Sequence, residues 1–237
     1  AQLEKVLNKV VHDSIKMLVV GPVALLITGF LAFIVIGPIA LILGTGITNG
    51  VTYVFEHAGW LGGALYGLLY APLVITGLHH MFLAVDFQLM GSSLGGTYLW
   101  PILAISNICQ GSAAFGAWIV YKRKKMVKEE GLAFTSGISG VLGVTEPALF
   151  GVNLPLKYPF IAAILTSSVL GAFIGAHKVL GSVGVGGWPA FISIKSEFWW
   201  IYLPATLIAT VVPAVLTIVF SRFSNQKAKK MVDISNS

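Results

Sequence analysis

At 237 residues, 56% hydrophobic and only 10% charged, the chain is more apolar than a soluble fold of this size needs for its core. Its net charge of +6 sits in short basic runs at the ends of apolar stretches, a pattern of bilayer topology and anionic-lipid contact that argues against a nucleic-acid partner. A single cysteine rules out a disulfide framework, no Cys/His spacing suits a metal, and no Walker motif is present, so no cofactor or metal is expected.

Residues 1–16 open as a polar, amphipathic segment without a signal-peptide pattern. Residues 17–55, 58–76, 87–121, 158–176 and 198–221 carry no charge, and each reaches about the 20 residues that a membrane-crossing helix requires. Continuous Leu/Ile/Val/Ala runs without β-barrel alternation predict an all-α integral membrane protein, a polytopic helical bundle with one or two re-entrant hairpins. The stretch 17–55 is too long for one crossing, and Gly37-Pro38 can break it into two helices or mark a kink, so two spans are expected there. Residues 60–78 fit either a third span or a re-entrant hairpin. Tyr98–Tyr121, Tyr158–Ala176 and Phe198–Phe220 read as spans anchored by interfacial aromatics. Residues 132–156 are apolar but interrupted by Gly, Pro and Glu, the pattern of a broken or re-entrant element. The organisation is therefore an N-terminal segment 1–16, a membrane transport domain 17–222 and a polar cytoplasmic tail 223–237. Lys122-Arg123-Lys124-Lys125 with Lys128, and Arg222 with Lys227, Lys229 and Lys230, fall on the cytoplasmic side if 132–156 enters and leaves on one side.

The polar residues inside these apolar stretches are few, and an intramembrane ionisable group is a functional candidate by default. Glu146 stands in Gly143-Val144-Thr145-Glu146-Pro147-Ala148-Leu149-Phe150-Gly151. It can cap a helix by accepting backbone N–H bonds, or accept bonds from two sugar hydroxyls at the break of a discontinuous helix, or take a proton from an attacking hydroxyl. His79-His80 precede Asp86 and Gln88. Adjacent helical side chains point about 100° apart, so one histidine of the two is expected to face a cavity. Asp86 fits a cavity or a structural pair with either histidine. Asn107 and Gln110 are amides suited equally to helix–helix bonds and to ligand contact. Thr145, Asn153 and Lys157 flank the Glu146 loop, Lys157 with the length to snorkel. Cys109 reads as a buried packing residue, and Glu56-His57 and His177-Lys178 as interfacial punctuation. The glycine-rich 181–189 lacks the strand–helix setting of a phosphate cradle and reads as a mobile connection or gate near the bilayer surface. The basic run 122–128 reads as a solvated loop or as a docking site for an acidic cytoplasmic partner.

Three motifs carry a family resemblance: Gly-Val-Thr-Glu-Pro-Ala-Leu-Phe-Gly-Val-Asn at 143–153, Gly-Leu-His-His at 77–80 and Ser-Asn-Ile-Cys-Gln-Gly-Ser-Ala at 106–113. They resemble the enzyme IIC membrane domain of the bacterial phosphoenolpyruvate-dependent sugar phosphotransferase system, in the sucrose and trehalose branch of its glucose superfamily. Val85-Asp86-Phe87-Gln88-Leu89 and Gly184-Val185-Gly186-Gly187-Trp188-Pro189 are more similar to the trehalose members. The resemblance covers the second half of that domain. It implies about five further helices before Leu3, a dimer when intact, and a separate IIB domain bearing a phosphocysteine, whose motif Cys109 does not match.

The same resemblance implies a multi-pass protein of the bacterial inner membrane that binds a disaccharide and presents its 6-hydroxyl to that phosphocysteine, fed by an upstream phosphocarrier chain. Glu146 then orients the hydroxyl or accepts its proton, and His79 and His80 hold the ring, with Thr145, Asn153, Asp86 and Gln110 completing the candidate substrate-binding set. A sucrose or other glucoside permease, an ion-coupled sugar symporter in which Glu146 and Asp86 bind protons or sodium, and a non-transporting scaffold remain alternatives.

Overall fold

The computed structural model describes residues 2–235, with side chains described except at 14, 40, 43 and 224–235. Lys227, Lys229 and Lys230 of the expected polar tail thus have no described side chains, and residues 236–237 lie outside the described residues. The secondary structure is helical, with two isolated β-bridges and no strand among the described residues. The chain divides into two units, residues 1–47 and 48–237.

The first unit begins with α1 (Gln2–Val10), amphipathic as expected and with no buried residue. Helix α2 (Lys16–Leu31) runs into a π-helical turn (Ala32–Ile36), followed directly by α3 (Gly37–Thr76). Of the break or kink expected at Gly37-Pro38, the break does not occur. Pro38 has no N–H to give to the carbonyl four residues back and its ring would press on it, and the π turn relieves both. Gly37 N–H reaches back to the Ala32 carbonyl, so the chain stays helical. The one non-helical residue inside α3 is Ala58 (φ −143°, ψ 54°), just after Glu56-His57. Among the described residues of this unit only Val20 and Ala24 of α2 are buried, while Leu18 and Phe33 are 77% and 84% exposed, a surface suited to lipid or a partner.

In the second unit the arm of α3 from Gly59 to Thr76 is one helix, which decides against a hairpin over 60–78. Its antiparallel partner is α9 (Tyr158–Ala176). A methyl on Gly63 would stand 2.0 Å from the Gly171 carbonyl oxygen, and methyls on Gly59 and Gly67 would stand 2.3 Å from those of Gly175 and Ser167. Backbone therefore meets backbone along this seam. Lipid tails are as apolar as these helices, so close approach of small residues rather than hydrophobic transfer holds them together.

Helix α5 (Leu99–Arg123) forms the centre, buried continuously from Leu99 to Ala114. Cys109 is fully buried within it, in the packing role expected. Helix α10 (Trp199–Ser235) packs on α5, with Ser112 Oγ donating to the Thr210 carbonyl. Helix α6 (Val127–Val141), a turn at 142–145, and a short arm of α7 (Glu146–Ala148), a π turn (Leu149–Asn153) and α8 (Leu154–Leu156) make a hairpin. This is the broken element expected over 132–156. Between α3 and α5, a 3₁₀ turn (Leu78–Met81) leads into α4 (Phe82–Gly91).

Candidate functional site

Four stretches of chain, 70–86, 100–107, 143–146 and 184–186, converge on one cavity of ≈ 260 Å³ in the second unit. The end of α3 brings Tyr70 and Val74, and the turn after Gly77 brings His79 and His80. Helix α4 brings Asp86, α5 brings Trp100, Leu103 and Asn107, and the hairpin turn brings Gly143, Thr145 and Glu146. The volume lies just below the range of about 300–1,000 Å³ usual for small-molecule sites, and the lining mixes apolar walls with a few polar groups.

Glu146 opens the short helical arm of the hairpin, yet its carboxylate makes no hydrogen bond or ion pair among the described residues. Thr145, at the N-cap position, makes no side-chain cap bond either. The capping role open to Glu146 is therefore not taken, and two oxygen-bearing side chains line the cavity uncommitted. The turn beneath them is held from three sides. Asn107 Nδ2 donates to the Gly143 carbonyl at 3.3 Å, and Ser139 Oγ donates to the Val144 carbonyl at 2.8 Å. Gly187, at φ 65°, lies so close that a methyl on it would stand 2.2 Å from the Val141 carbonyl oxygen.

The glycine-rich segment is thus a wall rather than a free connection at the surface. Gly184 and Gly186 line the cavity, and Trp188 Nε1 donates to Thr210 Oγ1 of α10 at 2.9 Å. Thr97 and Ile194 pair with Gly181 through isolated bridges, because a backbone so short of side chains can satisfy itself only through neighbouring chain.

Both histidines line the cavity, where one alone was expected. The reason is local: Gly77 turns left-handed (φ 76°) and the pair sits in a 3₁₀ turn, so the rings fold together with centroids 3.9 Å apart. His79 also meets Tyr70 edge-on at 6.2 Å, and its Nδ1 is buried without a partner. Burial, then the neighbouring His80, lower its pKa, with the Leu73 backbone and then Glu146 pulling the other way. Asp86 is 1% exposed and accepts a hydrogen bond from Thr97 Oγ1 at 2.6 Å, so its structural partner is a threonine rather than a histidine. It lies outside the candidate spans, and burial pushes its carboxyl up to about 6 against the effect of the Thr97 bond.

Gln110 and Asn153 are not brought to the cavity. Asn153 Nδ2 donates to both the Gln110 carbonyl (3.0 Å) and Gln110 Oε1 (2.7 Å), which ties the hairpin arm to α5. Both are fully buried, and an amide in that setting bonds its nearest counterpart. Lys157 is exposed, at φ 63° between α8 and α9, away from the cavity. Tyr70 and Trp100 are lining residues that sequence reasoning missed. Trp100, Leu103 and Asn107 recur at i, i+3 and i+7, one face of α5, and Trp100 Nε1 is buried without a partner. Among the described residues no three His, Cys, Asp or Glu side chains are grouped to hold a metal ion.

The family model for "Phosphotransferase system, EIIC" matches residues 1–167. The chain is 49% identical over 227 residues to the trehalose-specific EIIBC component of Bacillus subtilis, covering 95% of this chain and 48% of that protein. It is 44% identical over 200 residues to the sucrose-specific EIIBC component of Staphylococcus xylosus, covering 83% and 41%. The trehalose-specific EIIBC component of Escherichia coli is 40% identical over 217 residues, covering 91% and 45%. The chain spans about half the length of these curated relatives. No solved structure matches it.

Proposed function

The chain belongs to the phosphotransferase system EIIC family, and on that premise we propose that its cavity holds a disaccharide, trehalose foremost, for a permease of the bacterial inner membrane. The reading is carried by Glu146, an uncommitted carboxylate beside Thr145, His79 and His80 in a cavity reached by four segments. A carboxylate with no internal partner can accept two sugar hydroxyls at once, and charge-assisted bonds are stronger than neutral ones. Tyr70 and Trp100 offer apolar surface for the ring faces, and Asp86 and the two histidines are further polar contacts. The trehalose specificity of the Bacillus subtilis and Escherichia coli relatives supports the choice of sugar.

In the complete permease, residues 17–222 act as part of the transport domain, flanked by the amphipathic segment 1–16 and the tail 223–237. The remaining half of the membrane domain completes a homodimer. A IIB domain, recharged by the phosphocarrier chain, supplies phosphocysteine. The sugar 6-hydroxyl attacks phosphorus in line, an O–P bond forms as the S–P bond breaks, and the hydroxyl proton passes to Glu146. Thiolate leaves, and the charged sugar phosphate stays inside.

Calorimetry of trehalose, sucrose, maltose and glucose on the detergent-purified protein tests this, with Glu146→Gln alongside. Trehalose binding that disappears in the variant is the expected result. Equal trehalose binding by both proteins would remove Glu146 from the site, and binding of sucrose alone would reassign the sugar.

A further inference from the structure

A second cavity, of ≈ 370 Å³, opens at the base of the hairpin and shares no lining residue with the first. It is lined by Trp118 of α5 and by Val127, Glu130, Gly131 and Phe134 of α6. Trp118 and Tyr121 occupy the last turns of an apolar helix and the run Lys122–Lys125 follows, the arrangement of a span leaving the bilayer. The cavity therefore lies at headgroup depth.

Its chemistry is mixed in a particular way. Glu130 is partly buried and receives the Trp118 indole N–H on Oε1 at 3.3 Å. No lysine or arginine pairs with it among the described residues, although Lys122, Arg123, Lys124, Lys125 and Lys128 are all close in sequence. Its carboxylate thus keeps acceptor capacity for a cation from outside. The face of Trp118 is already covered by Lys122, whose Nζ lies 5.3 Å from the ring centroid. A quaternary ammonium that needs that face is disfavoured, whereas an ammonium with N–H groups to donate is not. From Phe134 in the lining to Ile138 one turn on, each with 41% of its surface exposed, the same face of α6 offers a track for an acyl chain.

We propose that this cavity seats a membrane phospholipid whose headgroup carries a primary ammonium and a phosphodiester. The ammonium bonds Glu130, the phosphodiester meets Lys122 and Lys128, and a tail follows Phe134 and Ile138.

Gly131 supplies the means of blocking it. A methyl placed there meets nothing within 4 Å, so a side chain can leave the backbone at 131 freely, and Gly131→Leu puts apolar bulk at the cavity wall. Glu130→Gln retains an acceptor for Trp118 and removes the charge. Native mass spectrometry of the purified protein with matched-chain phosphatidylethanolamine, phosphatidylcholine and phosphatidylglycerol is the test. The ethanolamine lipid should be retained about tenfold more tightly than the choline lipid, which has no N–H for the carboxylate. Glu130→Gln should bring that ratio close to one, and Gly131→Leu should reduce retention of the ethanolamine lipid. Equal retention of the ethanolamine and choline lipids by the unaltered protein overturns the proposal. So does a preference for phosphatidylglycerol, which the basic run alone would produce, or undiminished binding by Gly131→Leu.

Discussion

Glu146 and Asn153 stand seven residues apart on the same arm of one hairpin, and their polar groups are used in opposite ways. Asn153 spends its amide N–H bonds inside the protein, on Gln110. Glu146 spends nothing, and lines a cavity. The first arrangement fixes where the arm lies on α5, and the second leaves the end of that fixed arm free to act on something else. A site of this kind needs both, because a carboxylate orients a ligand only if its own backbone is held.

The comparison breaks most decisively at Glu146. Replacing it with Gln should cost the two charge-assisted bonds proposed for the sugar, a hundredfold or larger loss of affinity on the usual scale of about 1.5–3 kcal/mol each. The thermal midpoint should not move, since the carboxylate bonds nothing internally. A matching loss of stability would merge the two roles.

Asp86 is the intermediate case, both a cavity residue and internally bonded. Its folded pKa of about 6 exceeds the ordinary carboxyl value of 3.8, so the folded state holds the extra proton between those values. Stability is greatest below the lower value and declines as pH rises through the upper one, by up to roughly 3 kcal/mol. Thermal melts across pH 4 to 7 should show that decline, and Asp86→Asn should flatten it.

Asn153→Leu should cost about 2 kcal/mol of stability by stranding Gln110 Oε1, with sugar affinity changed less than in Glu146→Gln. The double change Asn153→Leu with Gln110→Leu should recover part of that loss, which a ligand-binding pair would not do. Smallest of all, Lys157→Gln should leave both affinity and melting temperature unchanged, because the side chain is exposed and outside the cavity. A clear loss of sugar binding there would enlarge the site beyond its present wall.

The hairpin was legible because the sequence states it twice, once through glycine and proline interrupting an apolar run and again through a carboxylate placed at the break. The spans 99–123 and 158–176 were legible from length and hydropathy alone. Partner choice was not. Gln110, Asn107 and Asn153 are chemically alike as buried amides, and only the register of α5 against the hairpin decides that Asn107 serves the Gly143 carbonyl while Gln110 serves Asn153. The histidine pair misled for a similar reason, since its spacing presumed an α-helix where Gly77 starts a tighter turn. At Gly37-Pro38 the local rule was sound, and the π turn answers it by another route.

The glycine seam between α3 and α9 has one further consequence. Its contacts are made by carbonyl oxygens and α-carbons, which have no rotamers to exchange. Two surfaces of this kind cannot slip past one another by repacking, so the pair behaves as a single lever. Its joints lie at the ends of the seam, where Ala58 leaves helical geometry one residue before Gly59, and Lys178 turns to φ 50° three residues after Gly175.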